Sequence, residues 1–463
     1  MSGWVFVDTL VAAPSQPSWP AAIVSESRVG VLPPGHLRGS MPVSEDGLHV
    51  AFVVQSSDGK GAFVVHDDKI DDGYQSVVAQ TFHLSPDGNH VAYWAQLRKG
   101  FRLIADHAVV VDAEAPGPSQ PRWSRDGTRF AYTKSRGKQV VLVVDGTEGP
   151  EWEAVAGPQF SGDGRHVAYV ARADKRLRVI IDGVEGPMFD EILEFTWSPR
   201  GSRFAYLGRT GKQLTPVIDG VADSVFSNFG LEPAFTWSPD GRHVAYSAAR
   251  AEDNWHVRTD ARPGPPYTVI GRAVFSTDGE HLAFWGRQRD SDDAPRVLVR
   301  DGQVIAQVNL LAGLSLSPDG SRLAYVEALD ERQSRFVVVV DGTRSPEYQS
   351  VQRAPVFSPD SRHVAFVAEL AGRAQLVVDG QVTASHDAIY LSKLDPYFGP
   401  DGGHRSYVAI EGGAQRVFHD GAQGPAFKGI LQNAPSVRAD GSVDYLAMRG
   451  DTLVRVRQQP GTR

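Results

Sequence analysis

The chain has 463 residues, a formal net charge of −8 and no cysteine. Disulfides, thiolate chemistry and cysteine metal sites are therefore excluded, and an acidic balance with no long basic run argues against nucleic acid as the main partner. Hydrophobic residues are 41% and charged residues 22%, the make-up of a soluble globular protein, and no run approaches the ~18 apolar residues of a membrane span.

The opening MSGWVFVDTLVAAPSQPSWP has no basic n-region, and Asp8 interrupts its apolar run. It is not read as a signal peptide, so a cytoplasmic location is expected unless an export signal was removed. Within it, Trp4–Leu10 reads as a strand with no partner nearby. Residues 15–40 resemble SQPRWSRDGTRFAYTKSRG, residues 119–137, with the aspartate-glycine turn deleted, and read as a degenerate twelfth repeat.

From there the sequence repeats itself. The glycine of TWSPDGRHVAY recurs at Gly47, Gly88, Gly127, Gly164, Gly201, Gly241, Gly279, Gly320, Gly402 and Gly441, with Ser361 in the same slot. These eleven copies lie 37 to 41 residues apart, a period that marks a repeat architecture. Each copy opens with a short apolar strand and a Ser-Pro-Asp-Gly turn suited to type I geometry. A second strand such as His243–Ala248 alternates with period two. After a variable charged loop, a β-branched third strand ends in Asp-Gly, as at Asp145-Gly146, Asp182-Gly183, Asp219-Gly220, Asp301-Gly302, Asp341-Gly342, Asp379-Gly380 and Asp420-Gly421, a strong hairpin signal. A fourth short strand carries an aromatic: Trp152, Phe189, Tyr267, Tyr348 or Phe427.

Each unit therefore predicts a four-stranded antiparallel meander. One such sheet cannot bury both faces alone, and stacked copies solve that as blades of a β-propeller. Alanine mid-strand at Ala92, Ala131, Ala168, Ala205, Ala245, Ala324 and Ala365 lets blades approach closely. The expected fold is all-β, with about 11–12 blades spanning residues 4–460. They form one large ring, or two rings of about six with a handover near 221–234. The aromatic outer strands suggest blades that widen outwards, which favours small rings. The last copy ends without an outer strand, so the N-terminal strand is expected to pair there and close the ring, removing exposed edges.

The turns LSPDGNHVAYWA, TWSPDGRHVAYSA, LSPDGSRLAYVE and FSPDSRHVAFVA resemble the WD-like propeller repeats of the TolB family. The resemblance covers nearly the whole sequence and implies the propeller fold. It does not imply one activity, since such repeats also resemble units of periplasmic scaffolds, of the gating propellers of prolyl-oligopeptidase-type hydrolases and of some polysaccharide lyases. TolB proteins add an N-terminal α/β domain, for which these 463 residues leave no room, and no hydrolase domain follows the repeats.

Two residues after the motif glycine stands His49, His90, His166, His243, His281, His363 or His404, and in three copies Arg129, Arg203 or Arg322. A position that accepts histidine or arginine needs a donor, which favours a bond to a nearby turn aspartate. Metal is disfavoured, because equivalent positions on packed sheets lie ~10 Å apart whereas zinc ligands reach only ~2.1 Å. The motif aspartates Asp87, Asp126, Asp163, Asp240, Asp278, Asp319 and Asp360 read as turn formers and not as calcium ligands. No metal or cofactor is expected.

The loops between second and third strands vary most, as at Ala249–Asn254, Gly286–Asp293 and Ala328–Gln333, and such loops carry binding residues. Trp94, Trp255, Trp285 and Arg287 border them and are the candidate binding residues, with packing between blades as the alternative for the tryptophans. No catalytic motif appears: there is no His-Glu-x-x-His, Gly-x-Ser-x-Gly or phosphate loop. The expected function is a non-enzymatic scaffold that binds a protein partner through the variable-loop rim or the channel mouth. The alternatives are a lyase- or hydrolase-type enzyme with its site at the channel mouth, and a glycan-binding propeller.

Overall fold

The computed structural model describes residues 22–31, 42–45, 47–56, 60–67, 69–71, 73–230, 233–251, 254–288, 296–330, 332–390, 398–431 and 435–460. They form eleven antiparallel sheets, one per copy of the turn motif. Blade 3 shows the plan: Arg122–Trp123, Phe130–Arg136, Gln139–Val144 and Thr147–Trp152 pair in sequence order as strands a to d. In blade 1, strand a is reduced to the bridge between Val43 and Val50. One 3-10 turn, Ala79–Thr81, is the only helical element among the described residues. No helix there is long and apolar enough to cross a membrane.

The a strands of neighbouring blades lie side by side, as at blades 3 and 4 and at blades 7, 8 and 9, and so form the inner edge of the assembly. Apolar clusters fill each seam between sheets. Blade 5 packs on blade 6 through Leu207, Phe226, Phe235 and Tyr246, so packing runs unbroken past residues 221–234. Blade 11 packs on blade 1 through Leu446 and Leu453 against Val50, Phe52 and Val65. The circuit of eleven seams is closed, and the fold is an eleven-bladed β-propeller.

Closure uses a strand near the N-terminus, but it is Val24–Val31 and not the expected Trp4–Leu10 that fills the position. Val24–Val31 runs antiparallel to Thr452–Gln458 and supplies strand d of blade 11, from Val24 opposite Gln458 to Val31 opposite Thr452. Arg449 pairs with Glu26 at 2.5 Å, and Val29 joins the seam with blade 1. Residues 24–31, expected to belong to a twelfth repeat, are instead the missing quarter of the eleventh. The short valine-containing run pairs along the edge of blade 11, and among the described residues no sheet precedes blade 1. Trp4–Leu10 lies outside the described residues.

The seam chemistry explains the repeated residue types. The mid-strand alanines are at most 1% exposed, where a larger side chain would push the next sheet away. The strand-d aromatics do not widen the blades. Four of them turn into the following seam and meet the next blade's strand b edge-on, Phe189 and Phe427 as well as Tyr267, which meets Phe284 at 5.4 Å and 89°, and Tyr348, which meets Phe366 at 5.8 Å and 72°. Such edge-to-face pairs add to the area they bury, and they are compatible with a large ring.

Candidate functional site

One rim carries both regular turns, and there the motif side chains are spent on structure. In blade 6 the Ser238 hydroxyl donates to Asp240 at 2.5 Å and accepts from the His243 N–H at 2.9 Å. His243 Nδ1–H donates to Asp260 at 2.6 Å, and the other oxygen of Asp260 accepts the Val244 N–H at 3.2 Å. Asp260 sits at φ +47, a conformation that aspartate tolerates. The same pairing joins His90 to Asp106, Arg129 to Asp145, Arg203 to Asp219 and Arg322 to Asp341. The turn carboxylates of Asp87, Asp126, Asp163, Asp240, Asp319 and Asp360 are held below the ordinary carboxylate value. Burial raises Asp240, but Ser238, the Arg242 N–H and the Arg242 guanidinium together bring it down to about 2.

The same position also grips the following blade. His90 stacks on Trp123 at 4.6 Å, and Arg129 and Arg322 lie 5.3 Å from the rings of Phe160 and Phe357. Arg322 further donates to the Arg362 carbonyl at 2.6 Å. A planar cation or imidazole meets both needs, which is why histidine and arginine alternate there.

One group has metal-ligand composition: His404, His419 and Asp420 bring ligand atoms within 4.8 Å of one another. Its donors are already engaged. His404 Nδ1–H donates to Asp420 at 2.6 Å. The fully buried His419 donates from Nε2 to the Gly441 carbonyl at 2.6 Å and accepts from Ser406 at Nδ1, also at 2.6 Å. Blade 1 repeats the tie, with His49 on Asp67 and His66 on the Gly88 carbonyl. The trio is a seam fastening.

The inner edge offers different chemistry. A cavity of about 550 Å³ opens along the a strands of blades 6 to 9. Its walls are Trp237, Phe275, Trp285, Leu311 and Leu314, with Arg272 and Arg353 among them. All four a strands along it are interrupted, that of blade 6 between Phe229 and Thr236. Strand a of blade 7 leaves its ladder between Ile270 and Val274, that of blade 8 shifts register at Ala312, and that of blade 9 breaks between Val351 and Val356. Bulges of this kind re-aim side chains and often border sites. Arg272 and Arg353 occupy the breaks and are exposed. Among the described residues Arg272 has no carboxylate partner.

Further round the inner edge, His83 Nδ1 lies 3.5 Å from Arg122. Burial, reinforced by that guanidinium, pushes the imidazole down to about 3, so His83 is neutral and unable to bind a proton near pH 7.

The four sequence candidates separate. Trp94 is fully enclosed between blades 2 and 3. Trp285 holds the equivalent place in blade 7 but stays half-buried, because it covers Gly271 and lines the cavity. Arg287 is two residues further along the same face of that strand, its Nε buried without a hydrogen bond. The guanidinium of Arg296, opposite it, lies 5.3 Å from the Trp285 ring. Trp255 is half-buried opposite Tyr267 in blade 6, on the face that packs against blade 7, whereas Trp285 faces blade 8. The blade 7 sheet separates them. The acidic loop Asp290–Asp293 lies outside the described residues.

Sequence reasoning missed Arg272, Arg353, Phe275 and Trp237 as a group. A signal was present: IGRAVFS and VQRAPVFS share Arg-Ala ahead of Val-Phe-Ser in blades 7 and 9.

No protein-family model matches this protein, and no curated protein matches it. Among solved structures it is similar to chains of low identity. A eukaryotic initiation factor aligns at 11% identity and TM-score 0.37, over 69% of this chain and 90% of the other. The β-propeller domain of the Trilobed protease from Pyrococcus furiosus aligns at 15% and 0.28, over 55% and 91%. The tricorn protease aligns at 10% and 0.30, over 80% of this chain but 46% of its own length.

Proposed function

We propose that this protein is a non-enzymatic propeller, built of TolB-like repeats acting as one unit, that binds a protein partner at its inner edge. The observation that supports this is the cavity across blades 6 to 9. It offers three aromatic rings, aliphatic walls and two arginines, the residue types enriched in the centres of protein interfaces. Among the described residues its lining holds no histidine, carboxylate, lysine or tyrosine, so a ligand there is held rather than turned over by proton transfer. The turn rim is a poor rival, because its donors are committed to neighbouring blades.

Affinity capture from the native host tests the reading. The wild type is compared with Trp285→Ala plus Arg272→Ala, and with the rim control Arg362→Ala. The expected result is a protein retained by wild type and control and lost by the cavity variant. Identical captures from all three would overturn the assignment.

A further inference from the structure

We propose that the seam between blades 9 and 10 holds a binding pocket for a free amino acid with a large apolar side chain, its carboxylate on Arg405 and its ammonium on Asp420. The pocket is separate from the inner-edge cavity, so the inference goes beyond the function proposed above.

The sequence departs from its own pattern here. After the motif histidine or arginine, each of the nine preceding copies continues with valine, phenylalanine or leucine and then alanine, whereas blade 10 has Arg405-Ser406. The apolar residue fills a seam: Val91, Val244 and Val364 are at most 2% exposed. Arg405 lies two residues before Tyr407 and so on the same face of the strand, the face that packs on Leu376 and Ala384 of blade 9. A guanidinium is a poor filler for an apolar seam, and the seam is open there. A cavity of about 560 Å³ is walled by Leu376, Thr383, Ala384, Arg405, Tyr407 and Asp420 with the adjoining turns, a volume within the range of small-molecule sites.

The charges suit a zwitterion. Arg405 and Asp420 stand opposite each other at the end of the ladder between strands b and c, where the Arg405 N–H donates to Asp420 at 2.8 Å. Asp420 also accepts the His404 Nδ1–H at 2.6 Å. A carboxylate has about four acceptor positions, so these two bonds leave it capacity for an ammonium. Among the described residues the Arg405 guanidinium has no carboxylate partner, Asp420 included. Opposite charges that line one cavity without pairing are bridged by a molecule that carries both. A simple anion would face Asp420 and a simple cation would face Arg405, each against like charge.

The apolar wall is fixed in advance. The Tyr407 hydroxyl donates to His386 Nε2 at 3.2 Å, and His386 Nδ1–H donates to Glu411 at 2.9 Å. Burial holds this imidazole below its ordinary value against the pull of Glu411, so it is neutral near pH 7 and Nε2 accepts. The Tyr407 ring also stacks on Phe418 at 5.1 Å. It is thereby held beside Leu376 and Ala384 as a preformed surface for an apolar side chain.

Isothermal titration calorimetry of the full-length protein tests the assignment with four probes. They are L-phenylalanine, 3-phenylpropionate, which lacks the ammonium, 2-phenylethylamine, which lacks the carboxylate, and inorganic phosphate. L-Phenylalanine is expected to bind about tenfold or more tighter than either analogue, and phosphate is expected not to displace it. Arg405→Val restores the residue type of the preceding copies, so it should keep or raise the thermal midpoint while abolishing binding. Asp420→Asn, at a φ of +47 that asparagine tolerates, should bring L-phenylalanine down to the affinity of 3-phenylpropionate. Equal affinity of the wild type for L-phenylalanine and either analogue, or displacement by phosphate, would overturn the inference. So would undiminished binding of L-phenylalanine by Arg405→Val or Asp420→Asn, or no binding by the wild type.

Discussion

The guanidinium of Arg203 lies 5.5 Å from the centre of the Trp237 ring in the next blade, while its Nε donates to Asp219 of its own blade at 2.9 Å. One side chain therefore fastens two sheets and supports from behind a ring that lines the cavity. Seven copies place histidine here, so Arg203→His is expected to fold with near-wild-type stability. Arg203→Ala loses a charge-assisted bond and a cation–π contact at a partly exposed site, a loss of about 1–2 kcal/mol. Urea denaturation of the two variants checks the difference. Equal midpoints for His and Ala would show that the fastening is inert.

The glycine slot is constrained twice over. Gly320 has φ +65, and a Cβ there would overlap the His281 ring of the preceding blade. Gly146 has φ +81 with nothing near a Cβ. Gly146→Ala therefore meets backbone strain alone, about 1 kcal/mol, whereas Gly320→Ala adds a steric penalty of about 1–3 kcal/mol. Thermal midpoints should fall further for Gly320→Ala. Ser361 tolerates φ +65 and accepts a hydrogen bond from the Asp319 N–H at 3.2 Å. Ser361→Gly trades that bond for relief of strain and should change stability by less than about 0.5 kcal/mol.

Acid sensitivity has two windows of separate origin. His83 is held down to about 3 by burial and Arg122, against about 6.5 in the unfolded state. Between those values the unfolded state binds a proton that the native state does not, so stability falls as pH drops from about 6.5. His83→Gln should flatten the loss measured by urea denaturation between pH 7 and pH 5. Asp240, lowered to about 2, contributes stability above the usual carboxylate range that is lost only as pH falls from about 4 toward 2. His83→Gln should leave that second limb in place.

Ring closure depends on Val29, enclosed with Leu446, Leu453 and Phe52. Val29→Asp places a charge in that seam, an unfavourable burial. The expected result is faster amide exchange across Thr452–Gln458, by about tenfold or more, together with self-association through the freed edge. Hydrogen exchange and light scattering test both. Unchanged protection in that strand would mean that Val24–Val31 does not hold the ring shut.

The order of strands and their number per unit were legible in the sequence, because each depends on chemistry within about forty residues, whereas the blade count was read only as eleven or twelve. Asp145-Gly146 needs only local backbone preference to turn a hairpin, and Ser238 bonds Asp240 within its own turn. Even the demand for a donor at His243 or Arg203 showed in the exchange of one residue for the other. What the tertiary structure decided involves groups that meet only across seams. Residues 24–31 find Thr452–Gln458 at the far end of the sequence, so their role was hidden in a stretch that looked like a worn repeat. Trp94 and Trp285 hold the same place in their blades and look alike in sequence, yet one is sealed and the other lines a cavity. The difference lies in neighbours brought alongside by the ring: Gly271 beneath Trp285, and Arg272 and Arg353 set around one space.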